Sequence, residues 1–106
     1  MAQETSRKYE IYIGLKDKET LLERYSAEDF AEILARQCTH KKIGFSLTRQ
    51  VGGYAHNKGY VTETSVRLTL FGLQAQEVEE LGKTLMELAN TDTIMITSEA
   101  CDYYYI

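Results

Sequence analysis

The chain has 106 residues, 43% of them hydrophobic and 26% charged, which indicates one globular domain and excludes a disordered or fibrous protein. No apolar run approaches the roughly 20 residues that cross a bilayer, and the first residues lack the apolar core of a signal peptide. The net charge of −4 argues against nucleic acid as a partner. We therefore expect a cytoplasmic protein with no membrane partner, a single domain over residues 1–106, and a flexible segment at residues 1–7.

The first third of the chain reads as a strand followed by a helix. Alternating apolar residues in KYEIYIG predict a strand over residues 8–14. The connector LKDKETLLERY has no clean period, so a loop and a short helical turn both stay open. Ser26 then precedes Glu28 and Asp29, a pattern that caps a helix start and complements its dipole. It predicts a first helix over about 27–38.

The middle and last thirds contain two more alternating segments, a second helix and two short strands. KKIGFSLTRQV and VTETSVRLTLFG predict strands of an antiparallel hairpin, joined by a long loop over residues 49–63. LQAQEVEELGKTLMELAN predicts the second helix, in which Gly82 costs roughly 1 kcal/mol against alanine and therefore indicates close packing. TIMIT and ACDYYYI are predicted as a fourth and a fifth strand.

This order predicts an α+β fold, the ferredoxin-like β-α-β-β-α-β sandwich with an extra C-terminal strand and two helices packed on one face of an antiparallel sheet. With its length and the glycine- and tyrosine-containing segment between the second and third strands, the chain resembles the small PII-like signalling proteins. The resemblance implies a trimer that binds nucleotides or other small anions near the base of that segment, in clefts between subunits.

Charge is distributed unevenly along the chain. From Arg36 to Arg67 there are six bases against one acid, Glu63, whereas the rest of the chain has six bases against fifteen acids. A field of this shape favours a small anion at one place over a nucleic acid along a face. The alternative is that the basic and acidic segments pair with each other in the fold.

The segment 49–63, RQVGGYAHNKGYVTE, is the candidate ligand site. Its glycines allow a ligand to approach main-chain amides, its basic side chains can neutralise a phosphate or carboxylate, and its aromatic side chains can stack on a base. The plain alternative is a loop rich in turn-forming residues. The predicted ligand-binding residues are Arg49, Tyr54, His56, Asn57, Lys58, Tyr60 and Arg67.

Evidence for catalysis or metal binding is weak in the sequence. His40 and His56 are the candidate acid–base residues, because histidine is the residue type best suited to proton exchange at neutral pH. No serine or cysteine lies in a nucleophile motif, and an enzyme using Cys101 with His56 requires the two to meet in space. Cys38 and Cys101 lack zinc-site spacing and are interpreted as small buried hydrophobic residues. We predict no metal and no cofactor, and we favour a non-catalytic protein.

The last residues form a tyrosine-rich segment, CDYYYI. An edge strand with apolar groups on both faces invites pairing with another subunit, although the tail can instead cover its own chain's core. We predict a homo-oligomer, a dimer or trimer, with Tyr103, Tyr104, Tyr105 and Ile106 at its interface.

Three functions are compatible with these features. The first is a non-catalytic oligomeric binder of a small anionic, nucleotide-like ligand, acting as a sensor or as a sequestering protein of a phage or mobile element. The second is an interaction or inhibitor module that engages a protein partner through residues 49–63 or the tyrosine strand. The third is a small ferredoxin-like enzyme with a pocket lined by tyrosine and histidine.

Overall fold

The computed structural model describes residues 3–57 and 59–106, with side chains from residue 7 onward except that of His56. The predicted order β-α-β-β-α-β is confirmed, whereas the further C-terminal strand is not a separate element. The elements are β1 (Gln3–Gly14), α1 (Ala27–Lys41), β2 (Ser46–His56), β3 (Gly59–Phe71), α2 (Ala75–Ala89) and β4 (Met95–Tyr104).

The strands form one antiparallel sheet in the order β2-β3-β1-β4. Ile11 of β1 pairs with Leu68 of β3 on one side and Ile96 of β4 on the other, so β1 and β3 are central. Alternate residues of the two central strands are fully buried, which is the pattern of a sheet covered on one face. The predicted α+β fold class, two helices on an antiparallel sheet, is therefore confirmed.

Each helix begins where local chemistry predicts a start. The Ser26 hydroxyl accepts a hydrogen bond from the Asp29 amide at 3.1 Å, as expected for an N-cap. At the second helix, the Glu77 carboxylate reaches back to the Gln74 amide at 2.9 Å. The first helix extends beyond its predicted end, to Lys41, and stops at Lys42, whose backbone is left-handed.

The core lies between the two helices and one face of the sheet. It combines the buried residues of β1 and β3 with Phe30 and Leu34 of α1 and with Val78, Leu81 and Leu85 of α2. Gly82 is buried because the Ile94 side chain occupies the space that a Cβ would take, which confirms the predicted close packing. The opposite face, called here the open face, carries the alternate, partly exposed residues of the strands.

Two sequence predictions need correction, and the structure decides the open one for the connector 15–25. Residues 49–63 are not a long loop: β2 and β3 continue as a paired ribbon to His56 and Gly59, with a turn at Asn57. TIMIT and ACDYYYI are not two strands but parts of one continuous β4. The connector 15–25 is a loop with an isolated bridge between Lys16 and Glu23. The predicted flexible segment 1–7 includes residues 1 and 2, outside the described residues, while residues 3–7 belong to β1.

Two smaller expectations concern the cysteines and the membrane. Cys38 is buried in the core as predicted, whereas Cys101 is half-buried, and both are free thiols. None of the helices in the described part of the chain has the length and apolar character required to span a bilayer.

Candidate functional site

A cleft of about 660 Å³ opens at one end of the open face, where β1 ends and the β2–β3 ribbon continues beyond the sheet. Its floor is formed by small and aromatic residues of the open face, and its sides by two loops. One loop is the connector 15–25, which contributes Lys16, Lys18 and Leu21, and the other is the segment 91–94 that follows α2. A cleft of this volume lies within the range of small-molecule sites.

Glu63 is the central charged group of the cleft. Its Oε2 accepts a hydrogen bond from the Lys16 amide at 3.1 Å. Burial raises the pKa of the Glu63 carboxyl above its usual range, and the nearby charge of Glu23 adds to this effect, although the Lys16 amide and ammonium oppose it. A carboxylate with a raised pKa in a cleft is suited to hold a cation or to exchange a proton.

Gly14 makes room for this carboxylate. A Cβ on Gly14 would overlap the Glu63 carboxyl group, so only glycine lets the side chain lie against the end of β1. The two residues are neighbours because Gly14 pairs with Ser65 across the β1–β3 ladder. The position of Glu63 therefore depends on a residue that is 49 positions away in the sequence.

Aromatic and apolar residues line the same cleft as the carboxylate. Tyr12, Val51, Tyr54 and Met95 all line the cleft, and Val51 is 85% exposed. Burial, followed by the charge of Glu63, raises the pKa of Tyr54, so its phenol stays protonated and remains a hydrogen-bond donor at neutral pH. Tyrosine faces beside a carboxylate form an environment that favours a cationic ligand with an aromatic ring.

A second, shallower cavity of about 530 Å³ adjoins the first and shares Glu63, Lys16, Leu21 and Val51 with it. Its outer side includes Glu23, whose Oε1 accepts a hydrogen bond from the Thr64 amide at 3.2 Å. Glu63 thus borders both cavities, and charged side chains line each of them.

Of the predicted ligand residues, Tyr54 lines the cleft. Arg49 pairs with the buried Val66, which places it on the helix-bearing face of the sheet, away from the cleft. Arg67 lies on the open face, where its Nε is 3.2 Å from Glu10 Oε2. Asn57 is exposed in the hairpin turn, and Tyr60 is 73% exposed with its ring over Gly53.

For two predicted ligand residues, the position relative to the cleft is not described. Lys58 and the side chain of His56 lie outside the described residues. The backbone of His56 pairs with Gly59 at the tip of the ribbon, whereas Cys101 pairs with Ser6 near the other end of the sheet. About fourteen strand residues, on the order of 40 Å, separate them, so cooperation of His56 and Cys101 within one chain is excluded.

The sequence interpretation missed most of the cleft. Tyr12, Lys16, Lys18 and Asp92 were assigned no role, and Glu63 was counted only as the single acid in a basic stretch. That isolation was the available signal, because an acid in basic surroundings is a candidate functional group. The cleft is also not basic, because its lining contains two lysines, Lys16 and Lys18, and two acidic residues, Glu63 and Asp92. Among the described residues, no group of three or more His, Cys, Asp or Glu side chains is placed to hold a metal ion.

Comparison with known proteins identifies the fold. A phage SAM lyase in complex with S-methyl-5'-thioadenosine is 23% identical, with a TM-score of 0.73 over 92% of this chain and 87% of that chain. A phage SAM lyase in the apo state is 22% identical, with the same TM-score over 93% of this chain and 87% of that chain. No protein-family model and no curated protein sequence matches the chain. At this identity, the likeness establishes a shared α+β fold and assigns no residue a role.

Proposed function

We propose that the cleft binds S-adenosylmethionine and that the protein cleaves it with release of methylthioadenosine. The observation that carries the proposal is the partly buried Glu63 carboxylate in a cleft that Tyr12 and Tyr54 also line. A phage SAM lyase with methylthioadenosine bound has the same fold, which supports this choice of ligand. The cleft also lies at the base of the β2–β3 ribbon, as the resemblance to PII-like proteins implies, although its lining here comes from one chain and not from two subunits.

The charges of the cleft complement those of the ligand. S-adenosylmethionine carries a positive sulfur and a zwitterionic amino-acid chain, so it needs both acidic and basic partners. In the proposal, Glu63 and the tyrosine faces receive the sulfonium, because carboxylates and aromatic faces attract cations. Lys16, which borders both cavities, receives the ligand carboxylate. The ligand is thus nucleotide-like, but it is not the simple anion that the charge distribution of the sequence predicts.

The chemistry of the reaction fits the apolar part of the cleft lining, which includes Val51 and Met95. When the bond between sulfur and the amino-acid chain breaks, both electrons stay on sulfur and its positive charge is lost. An environment from which water is excluded favours such a loss of charge. Because a lyase uses no water, the electron pair comes from the substrate chain itself. Either the substrate carboxylate displaces the sulfur and forms the C–O bond of a lactone, or an adjacent C–H bond gives its electrons to a new C=C bond. In the second case a base must take the released proton, and in the proposal that base is Glu63.

A test combines ligand binding with product release. Methylthioadenosine is expected to raise the melting temperature of the protein, because a ligand at 100 times its dissociation constant adds roughly 2.7 kcal/mol to stability. Incubation with S-adenosylmethionine, followed by chromatography, is expected to show methylthioadenosine. Glu63→Gln, which keeps the size and removes the charge, should reduce release at least 100-fold, whereas Glu79→Gln on the exposed side of α2 should not. If neither compound shifts the melting temperature, the proposal is wrong.

Binding without release would favour the alternative function, a non-catalytic protein that sequesters the ligand. What supports it is that the residues lining the cleft, in the part of the chain that the structure describes, include no histidine or cysteine. In either case the protein would withdraw S-adenosylmethionine from enzymes that use it, which is compatible with a role against host defence in a phage. Ligand roles for Arg49, Asn57, Tyr60 and Arg67, and for His56 and Lys58, stay predictions.

A further inference from the structure

Asp17 is a buried carboxylate that lies behind the cleft wall and between two residues of that wall, Lys16 and Lys18. Its side chain and backbone together are 4% exposed, and among the residues that the structure describes Asp17 is the one charged residue that is buried. Its Oδ1 accepts hydrogen bonds from the amides of Glu19 at 2.8 Å and Thr20 at 3.2 Å. These bonds shape the connector 15–25 locally.

The other carboxylate oxygen of Asp17 connects this loop to a different element. Oδ2 accepts a hydrogen bond from Asn90 Nδ2 at 3.0 Å and lies 3.1 Å from Arg24 Nε. Asn90 ends α2 in a left-handed conformation, with φ 51° and ψ 54°. The two residues that join the loop to the helix end, Asp17 and Asn90, are called here the Asp17–Asn90 latch.

Further bonds run parallel to the latch. The Lys18 amide donates to the Asn90 carbonyl at 2.9 Å, and Lys18 Nζ lies 3.1 Å from Asp92 Oδ1. The Asp17 carbonyl accepts from the Leu21 amide at 2.8 Å and holds Leu21 at φ 59°, a conformation that L-residues rarely adopt. Lys18, Leu21 and Asp92 line the cleft. The latch therefore joins the two loops that form the sides of the cleft.

We infer that Asp17 and Asn90 are positioning residues, which hold the connector 15–25 against the segment 91–94 at the separation that a ligand in the cleft requires. The inference rests on the proposed function for the identity of the ligand but not for the order of the loops. Neither side chain needs to touch the ligand. The Asn90 amide, and then the Glu19 amide, lower the pKa of Asp17 to about 2, so the latch carboxylate is ionised throughout the neutral range.

The decisive variant is Asn90→Gly, because glycine favours the left-handed conformation of a helix C-cap and the change removes only the side-chain amide. Lys42→Gly is the matched control: Lys42 ends α1 in the same conformation, with φ 58°, and lies outside the cleft. We expect Asn90→Gly to bind methylthioadenosine about tenfold more weakly and to exchange the amide hydrogens of residues 17–22 at least tenfold faster. Lys42→Gly should change neither quantity.

A reciprocal exchange of the two groups adds a second test. Asn90→Asp alone puts two carboxylates together and should weaken binding more than Asn90→Gly does. Asp17→Asn combined with Asn90→Asp restores an amide–carboxylate pair and should recover most of the affinity, as a double-mutant cycle measures. If S-adenosylmethionine is cleaved, Asn90→Gly should raise KM and leave kcat within about threefold, the pattern of lost binding rather than lost chemistry.

The outcomes separate this inference from the proposed function. Unchanged amide exchange in Asn90→Gly overturns the latch, and faster exchange with unchanged affinity shows that it orders the loop without positioning the ligand. If the unaltered protein binds neither methylthioadenosine nor S-adenosylmethionine, the proposed function fails, and the exchange rates still decide whether the latch holds the loop.

Discussion

Gly14 has the clearest consequence at the scale of a single residue. Substitution Gly14→Ala places a methyl group where the Glu63 carboxyl now lies, so the carboxyl must move. Because Gly14 is in a strand and has no positive φ, alanine is otherwise compatible with the backbone. We expect affinity for methylthioadenosine, measured by calorimetry, to fall at least tenfold while the melting temperature changes by only a few degrees.

Gly44→Ala is the control for Gly14→Ala, since a Cβ at Gly44 meets nothing within 4 Å. It should bind methylthioadenosine as the unaltered protein does. Full affinity in Gly14→Ala would contradict the view that ligand binding in the cleft depends on the position of Glu63.

At the scale of single residues, the sequence predicts Tyr54 as a cleft residue but not Glu63. The contact between Glu63 and Gly14 depends on the pairing of strands that are distant in the sequence, so it leaves no local pattern.

At the scale of elements, the sequence predicts helices and strands well where contact with the core makes buried residues recur at regular intervals. Buried residues recur every three or four positions in both helices and at every second position in the central strands, and these spacings predict the elements correctly. Among the described residues of the ribbon beyond Gln50, all are exposed or only partly buried, so burial imposes no regular alternation there, and its glycines predict a loop. Edge strand β4 is also largely exposed, which explains why its two halves were predicted as separate strands.

The packing of α2 gives a prediction about Gly82. Alanine in an open helix position stabilises by about 1 kcal/mol relative to glycine. At Gly82, however, the new Cβ would lie 2.7 Å from Ile94 Cδ1, so this side chain must shift. We expect Gly82→Ala to give no net increase in the free energy of unfolding, measured by urea denaturation.

Two comparisons isolate the contact between Gly82 and Ile94. Ile94→Val removes the methyl group in question, so Gly82→Ala should stabilise the Ile94→Val protein by up to about 1 kcal/mol. Lys83, next to Gly82 and exposed, reports the helix preference alone through Lys83→Ala and Lys83→Gly, which should differ by roughly 1 kcal/mol. An equal gain from Gly82→Ala in both backgrounds would show that Ile94 exerts no constraint.

At the scale of the whole molecule, the helices cover one face of the sheet and leave exposed apolar side chains elsewhere. Tyr104, Tyr105 and Ile106 are 61%, 68% and 100% exposed at the end of an edge strand. Tyr103 differs, because its ring packs against Phe71 at a centroid distance of 5.2 Å within its own chain. Tyr103 therefore covers its own chain, and the Tyr105 ring in turn lies 5.8 Å from the Tyr103 ring. A role of the exposed residues after Tyr103 in an interface between subunits stays a prediction.

The exposed residues after Tyr103 lead to a prediction about self-association of the chain. Exposed apolar groups on an unpaired edge favour contact with a second copy. We expect the protein to be a dimer or trimer by size-exclusion chromatography with light scattering. Tyr104→Ser with Ile106→Ser should shift it toward monomer at micromolar concentration, whereas Leu22→Ser, which removes an equally exposed apolar group from the opposite end, should not. Tyr103→Ser should lower the melting temperature instead, because it removes a contact within the chain. An unaltered protein that is monomeric at every concentration would contradict the interface, and the ligand site would then have to be complete in one chain.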